Sequence, residues 1–127
     1  MDSLGLPQKN DYPEGLNILN DPHSKYYAGA VEASASAYFS SSTLIKKLFY
    51  KRLETTIAFL TNSFPTNSFP TTPFLKYNNI LDAGTGIGIL LPFLSKISRK
   101  VKAIDYSDII NYAEAMCLKN KIKNVSF

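Results

Sequence analysis

The stretch Ile80-Leu81-Asp82-Ala83-Gly84-Thr85-Gly86-Ile87-Gly88 decides the fold of this 127-residue chain. A short apolar run leads into a loop with glycine at every second position, and Asp82 stands just ahead of the first glycine. The next apolar run, Val101-Lys102-Ala103-Ile104, closes on another acid, Asp105. Strand, glycine turn, helix, strand and terminal acid describe a parallel sheet with a nucleotide-type ligand laid across the strand ends. Gly84, Gly86 and Gly88 can take positive φ, and they leave no Cβ where a ligand must approach the backbone. Asp105 can accept two hydrogen bonds, which suits the vicinal hydroxyls of a ribose.

The spacing also selects among ligands. A dinucleotide fingerprint, G-x-G-x-x-G, would place its third glycine at position 89, where this chain has Ile89. A P-loop needs Gly-Lys-Ser/Thr after four spacers, and no such Lys follows. Asp82 at the mouth of the loop would repel a pyrophosphate and attract an ammonium group. A positively charged amino acid joined to a nucleoside fits better than a dinucleotide, and a nicotinamide oxidoreductase is disfavoured.

On these residues the chain resembles the class I S-adenosylmethionine-dependent methyltransferases. Asp82, Gly84, Gly86 and Gly88 are similar to that family's first motif, which wraps the methionine part of the cofactor. Ala83 and Thr85 belong to the same cofactor-binding run, Thr85 standing where many members carry Cys or Ser. Asp105 resembles the acid that holds the ribose hydroxyls, and Tyr106 the neighbour that packs beside the adenine. Residues 111–127 look like the family's second helix and the start of its third strand. The resemblance implies an α/β fold: a Rossmann-like three-layer sandwich with a parallel sheet, preceded by N-terminal helices. It implies S-adenosylmethionine as cofactor and methyl transfer to an acceptor, a small molecule being favoured.

The resemblance covers only the front, cofactor-binding half of such a domain and ends on the third strand. Strand 79–83 is then expected at a sheet edge, an arrangement that invites self-association. No catalytic residue can be named. The expectation is a fragment, a truncated frame or a degenerate member. The alternative is a non-catalytic remnant acting as a binding module.

Around this unit the chain divides into four parts. Residues 1–23 are polar and rich in Pro and Gly, and residues 24–60 read as N-terminal helices. Residues 61–78 form a Pro-rich linker in which Thr-Asn-Ser-Phe-Pro occurs twice in tandem; residues 79–127 hold the cofactor-type unit. Within the second part, Ser42 or Thr43 is expected to cap a helix running to Leu60. Ile45, Phe49, Leu53, Ile57 and Leu60 give that helix one apolar stripe. Tyr26, Tyr27 and Tyr38 read first as packing residues, with cofactor contact as the alternative. After the glycine loop a helix is expected from about Ile89 to Ile97, its first N–H groups free to face a carboxylate. Ser98-Arg99-Lys100 reads as a basic turn, and Ser107 as the cap of the next helix.

Composition narrows the setting. The net charge is +4, with two Lys against five acids in residues 1–45 and twelve Lys or Arg against five acids thereafter. No basic patch is interleaved with aromatics, so nucleic acid is not expected as a partner. The single cysteine, Cys117, allows no internal disulfide and reads as a packing residue; lone His23 makes no metal site. With no signal-type segment and no long apolar run, the reading is cytoplasmic, without membrane attachment.

Overall fold

Apolar runs that flank a glycine turn form strands when a parallel neighbour can pair with them. The computed structural model describes residues 6–12, 37–38, 42–62 and 77–127. Its strands are β1 (Tyr77–Ala83), β2 (Ser98–Ile104) and β3 (Val125–Ser126), all parallel in the order β1-β2-β3. Helix α1 (Thr43–Asn62) precedes the sheet, and α2 (Leu91–Ile97) and α3 (Ser107–Lys119) are the crossovers. The expected helical stretch before Ala37, with Tyr26 and Tyr27, lies outside the described residues, as do His23 and the repeats from Ser63 to Lys76. Among the described residues no helix is long and apolar enough to cross a membrane.

The first two strands reach further back than their apolar runs. With Ile80 set against Val101, the ladder continues to Tyr77 opposite Ser98. The polar Ser98-Arg99-Lys100, expected as a turn, therefore belongs to β2, and Tyr77 and Asn78 belong to β1 rather than to the linker. Pairing sets these ends, and composition does not. The helix boundaries shift as well. Residues 86–90 are turns, and α2 starts at Leu91 with Pro92 in its first turn, where a missing N–H is harmless. Tyr106, extended at φ −63° and ψ 145°, is the N-cap of α3, so Ser107 is its first helical residue and not its cap.

The hydrophobic core lies on one face of the sheet. Val101 and Ala103 of β2 pack with Leu91 and Leu94 of α2 and with Ile109, Ala113, Met116 and Cys117 of α3. Right-handed crossovers that step in one direction along a sheet place their helices on the same side. The opposite face is open: Leu81 is 63 % exposed and Ile104 42 %, with Asn79, Ala83, Lys100 and Lys102 also exposed. Two layers are present among the described residues, where three were expected. In the described sheet β1 is an edge, as expected from the sequence.

Two further segments close the core. Leu53 of α1 is buried, with Tyr50, Ile57 and Leu60 packed partly against the cluster, while Ile45 at the start of the stripe is exposed. The Tyr77 hydroxyl donates to Leu60 O at 3.1 Å and ties α1 to the start of β1. Residues 6–12, expected to be a polar lead-in, bring Leu6 and Tyr12 fully into the core. The C-terminal end of α3 holds them there. Lys119 Nζ donates to the carbonyls of Asn10 and Tyr12 at 2.7 and 2.6 Å, and Asn120 Nδ2 donates to that of Asp11 at 3.0 Å.

Gly88 is where loop and helix meet most closely. A Cβ built there would stand 2.9 Å from Ala113 Cβ and 3.0 Å from Leu91 Cδ1, and its φ of +81° is already unfavourable for any side chain. Gly84, at φ +78°, has nothing within 4 Å of the same position. Gly88→Ala is therefore expected to destabilise the fold by roughly 2–4 kcal/mol, from backbone strain plus overpacking. Gly84→Ala is expected to cost about 1–2 kcal/mol, from strain alone. Urea denaturation of both variants reads the difference; equal losses would contradict the packing role of Gly88.

Candidate functional site

The glycine loop has no helical or strand partner of its own, so its N–H groups need acceptors from elsewhere. The end of β2 supplies them. The Gly84 and Thr85 N–H groups both donate to Ile104 O, at 2.9 and 3.2 Å. The next N–H, from Gly86, donates to Asp105 Oδ2 at 2.7 Å. The other carboxylate oxygen, Oδ1, accepts from the Tyr106 N–H at 2.7 Å. Each oxygen still has acceptor capacity, because a carboxylate offers about four lone-pair sites. Asp105 thus fixes the loop and remains able to bind a hydroxyl.

Asp82 is placed by the other strand. The Thr85 hydroxyl donates to Asp82 Oδ2 at 2.7 Å, which orients the carboxylate at the mouth of the loop. Burial holds this carboxyl above its ordinary value of 3.8; the Thr85 hydrogen bond opposes the shift and the Asp105 charge adds to it. A carboxylate kept partly dehydrated beside a second acid favours a cationic group next to it.

Asp82, Gly84, Thr85 and Gly86 line a pocket of about 150 Å³, closed on the other side by Leu53, Ile89, Leu90 and Tyr38. The structure brings these four predicted residues together around one space. Asp105 adjoins it through Gly86. Ala83 is exposed at the end of β1, and Tyr106 is 69 % exposed beside Asp105. Gly88 faces α3 and not the pocket. Of the N–H groups at the start of the following helix, those of Leu91, Phe93 and Leu94 are used within the chain. Leu91 N–H donates to Gly88 O, and those of Phe93 and Leu94 donate to Leu90 O.

Sequence reasoning reached the far wall only through Tyr38, whose contact with a cofactor was the alternative to packing. Leu53 was legible only as one member of a helical stripe, and Tyr38 as one of several tyrosines ahead of the loop. Tyr38 is held edge-on to Phe49 and Tyr50, with ring centroids 5.4 and 6.4 Å away. A larger apolar groove of about 420 Å³ lies between α3 and β3, lined by Cys117, Leu118, Ile122 and Phe127 among others. It includes none of the glycine-loop residues. Burial, with Glu114 nearby, pushes the Cys117 thiol up to about 11, so the thiol stays protonated and acts as core. Among the described residues no cluster of His, Cys, Asp and Glu can hold a metal ion. Comparison with protein-family models, curated proteins and solved structures finds no match to this chain.

The raised pKa of Asp82 has a consequence for stability. A folded-state acid that holds its proton more tightly than the unfolded chain adds no penalty below its unfolded pKa. The penalty grows as pH rises through the folded value. Asp82→Asn can still accept from Thr85, so without ligand it is expected to melt above the wild type at pH 7. The gap should narrow as the pH is lowered toward about 4. A variant that melts below the wild type at pH 7 would show that the Asp82 charge stabilises the loop.

Proposed function

We propose that this chain carries the cofactor-binding half of a class I S-adenosylmethionine-dependent methyltransferase domain with a Rossmann-like fold. One observation carries the reading: a half-buried acid and two unobstructed glycines share a pocket, and a second acid is bonded to the same loop. The residues fit the cofactor. Gly84 and Gly86 have open space where side chains would stand, so a ligand can lie against the backbone. Asp82 supplies the counter-charge for an α-ammonium group, with Thr85 orienting it. Asp105 has acceptor sites for the ribose hydroxyls, and the exposed Tyr106 ring offers an apolar surface for the base. When bound, S-adenosylmethionine supplies an electrophilic methyl group to a nucleophilic acceptor, and catalysis rests mainly on proximity and orientation.

The small-molecule acceptor and the cytoplasmic setting belong to this reading as proposals. So does self-association through the β1 edge. A second reading, a non-catalytic binding module, draws on the open sheet face with Leu81 and Ile104 exposed.

Calorimetric titration with S-adenosylhomocysteine separates the two. The cofactor reading expects saturable binding with one site per chain. Asp105→Ala is expected to weaken that binding by about tenfold or more, the scale of a lost charge-assisted hydrogen bond. A cooperatively folded wild type that binds nothing would overturn the cofactor reading and leave the binding module.

A further inference from the structure

The pocket's two walls have different chemistry. The loop side carries the Asp82 carboxylate, and the far side carries the Tyr38 ring; among the described residues no Lys or Arg lines the space. At about 150 Å³ it matches cavities that hold a benzene-sized group, and it falls short of the roughly 300 Å³ at which sites for whole small molecules begin. It therefore encloses one end of a ligand, and the rest lies over the open side toward Asp105 and Tyr106. An acid and an electron-rich ring around one small space select a cation.

We propose that Tyr38 is the residue that reads the charge on the ligand's sulfur, setting a preference for the sulfonium over the neutral thioether. This rests on the S-adenosylmethionine reading above. The division of labour follows from the chemistry of the two ligands. S-adenosylmethionine and S-adenosylhomocysteine both carry an α-ammonium group, so Asp82 attracts both. They differ at sulfur, and a sulfonium has no N–H or O–H to donate. Its positive charge is what an electron-rich ring can read and a thioether does not offer. Among the described residues Tyr38 is the one aromatic side chain on the pocket wall.

Its position is also fixed. Ala37 before it is buried, and the Tyr38 ring is gripped by the edge-on contacts to Phe49 and Tyr50 of α1. The nearby cation, Arg52, lies 5.6 Å from the Phe49 ring centroid and is exposed, where solvent screens it. Arg52 does not line the pocket, although burial pushes the Tyr38 hydroxyl up and the Arg52 charge opposes that rise.

The experiment measures affinity for both ligands by calorimetry on the wild type, Tyr38→Phe, Tyr38→Leu and Asp82→Asn. Tyr38→Phe keeps the ratio of the two affinities. Tyr38→Leu is expected to lower it about threefold to thirtyfold, by weakening S-adenosylmethionine while nearly sparing S-adenosylhomocysteine. Asp82→Asn weakens both together. Tyr38→4-cyanophenylalanine keeps a ring of similar size and withdraws its electrons, so it tests the same ratio if the leucine variant does not fold. A ratio unchanged in a folded Tyr38→Leu or Tyr38→4-cyanophenylalanine chain that binds S-adenosylhomocysteine overturns the role of Tyr38 alone. A folded wild type that binds neither ligand overturns the cofactor reading and this inference with it.

Discussion

The hydrogen bond from the Gly86 N–H to Asp105 is the constraint on which the site depends. A loop with three glycines at positive φ has many backbone shapes open to it and few internal bonds to choose one. Successive donors at Gly84, Thr85 and Gly86 are tied to the tip of β2, which turns that freedom into one conformation. The parallel register makes this possible. Asp82 stands opposite Ala103 and Ala83 opposite Ile104, so the chain leaving β1 arrives beside the acid that follows β2. The acid pattern and the glycine pattern are thus one structural unit.

How much of this was legible in the sequence depends on the range of the interactions. The glycine loop, the acid after β2 and the alternation of helix and strand were legible because each is local and set by spacing. What was missed is set from far along the chain. Tyr77 and Ser98 became strand because they face each other across the ladder. Leu6 and Tyr12 became core because Lys119 and Asn120, more than a hundred residues later, hold the turn beside them. Gly88 looked like part of the ligand loop, yet Ala113 lies where its side chain would be. Tyr38 was legible only as one of three tyrosines with cofactor contact as an alternative, and the packing against α1 sets it on the pocket wall.

The site stands against local stability. Asp82 is partly withdrawn from water, close enough to Asp105 for their charges to repel, and among the described residues the Thr85 hydroxyl steadies it. A fold selected for stability alone would gain by losing that charge. The rest of the described structure supports the site from one side, with α2 and α3 on the buried face and Leu81 and Ile104 exposed on the other. The candidate site and an exposed sheet face are therefore present in the same small unit.

The most direct test is an amide-resolved NMR titration of the folded chain with S-adenosylmethionine. The central claim predicts that the amides of Gly84, Thr85, Gly86, Asp105 and Tyr106 shift together and saturate at one ligand per chain. Those of Ile122 to Phe127, on the apolar groove, should stay in place. A spectrum that does not move, or shifts confined to that groove, would contradict it.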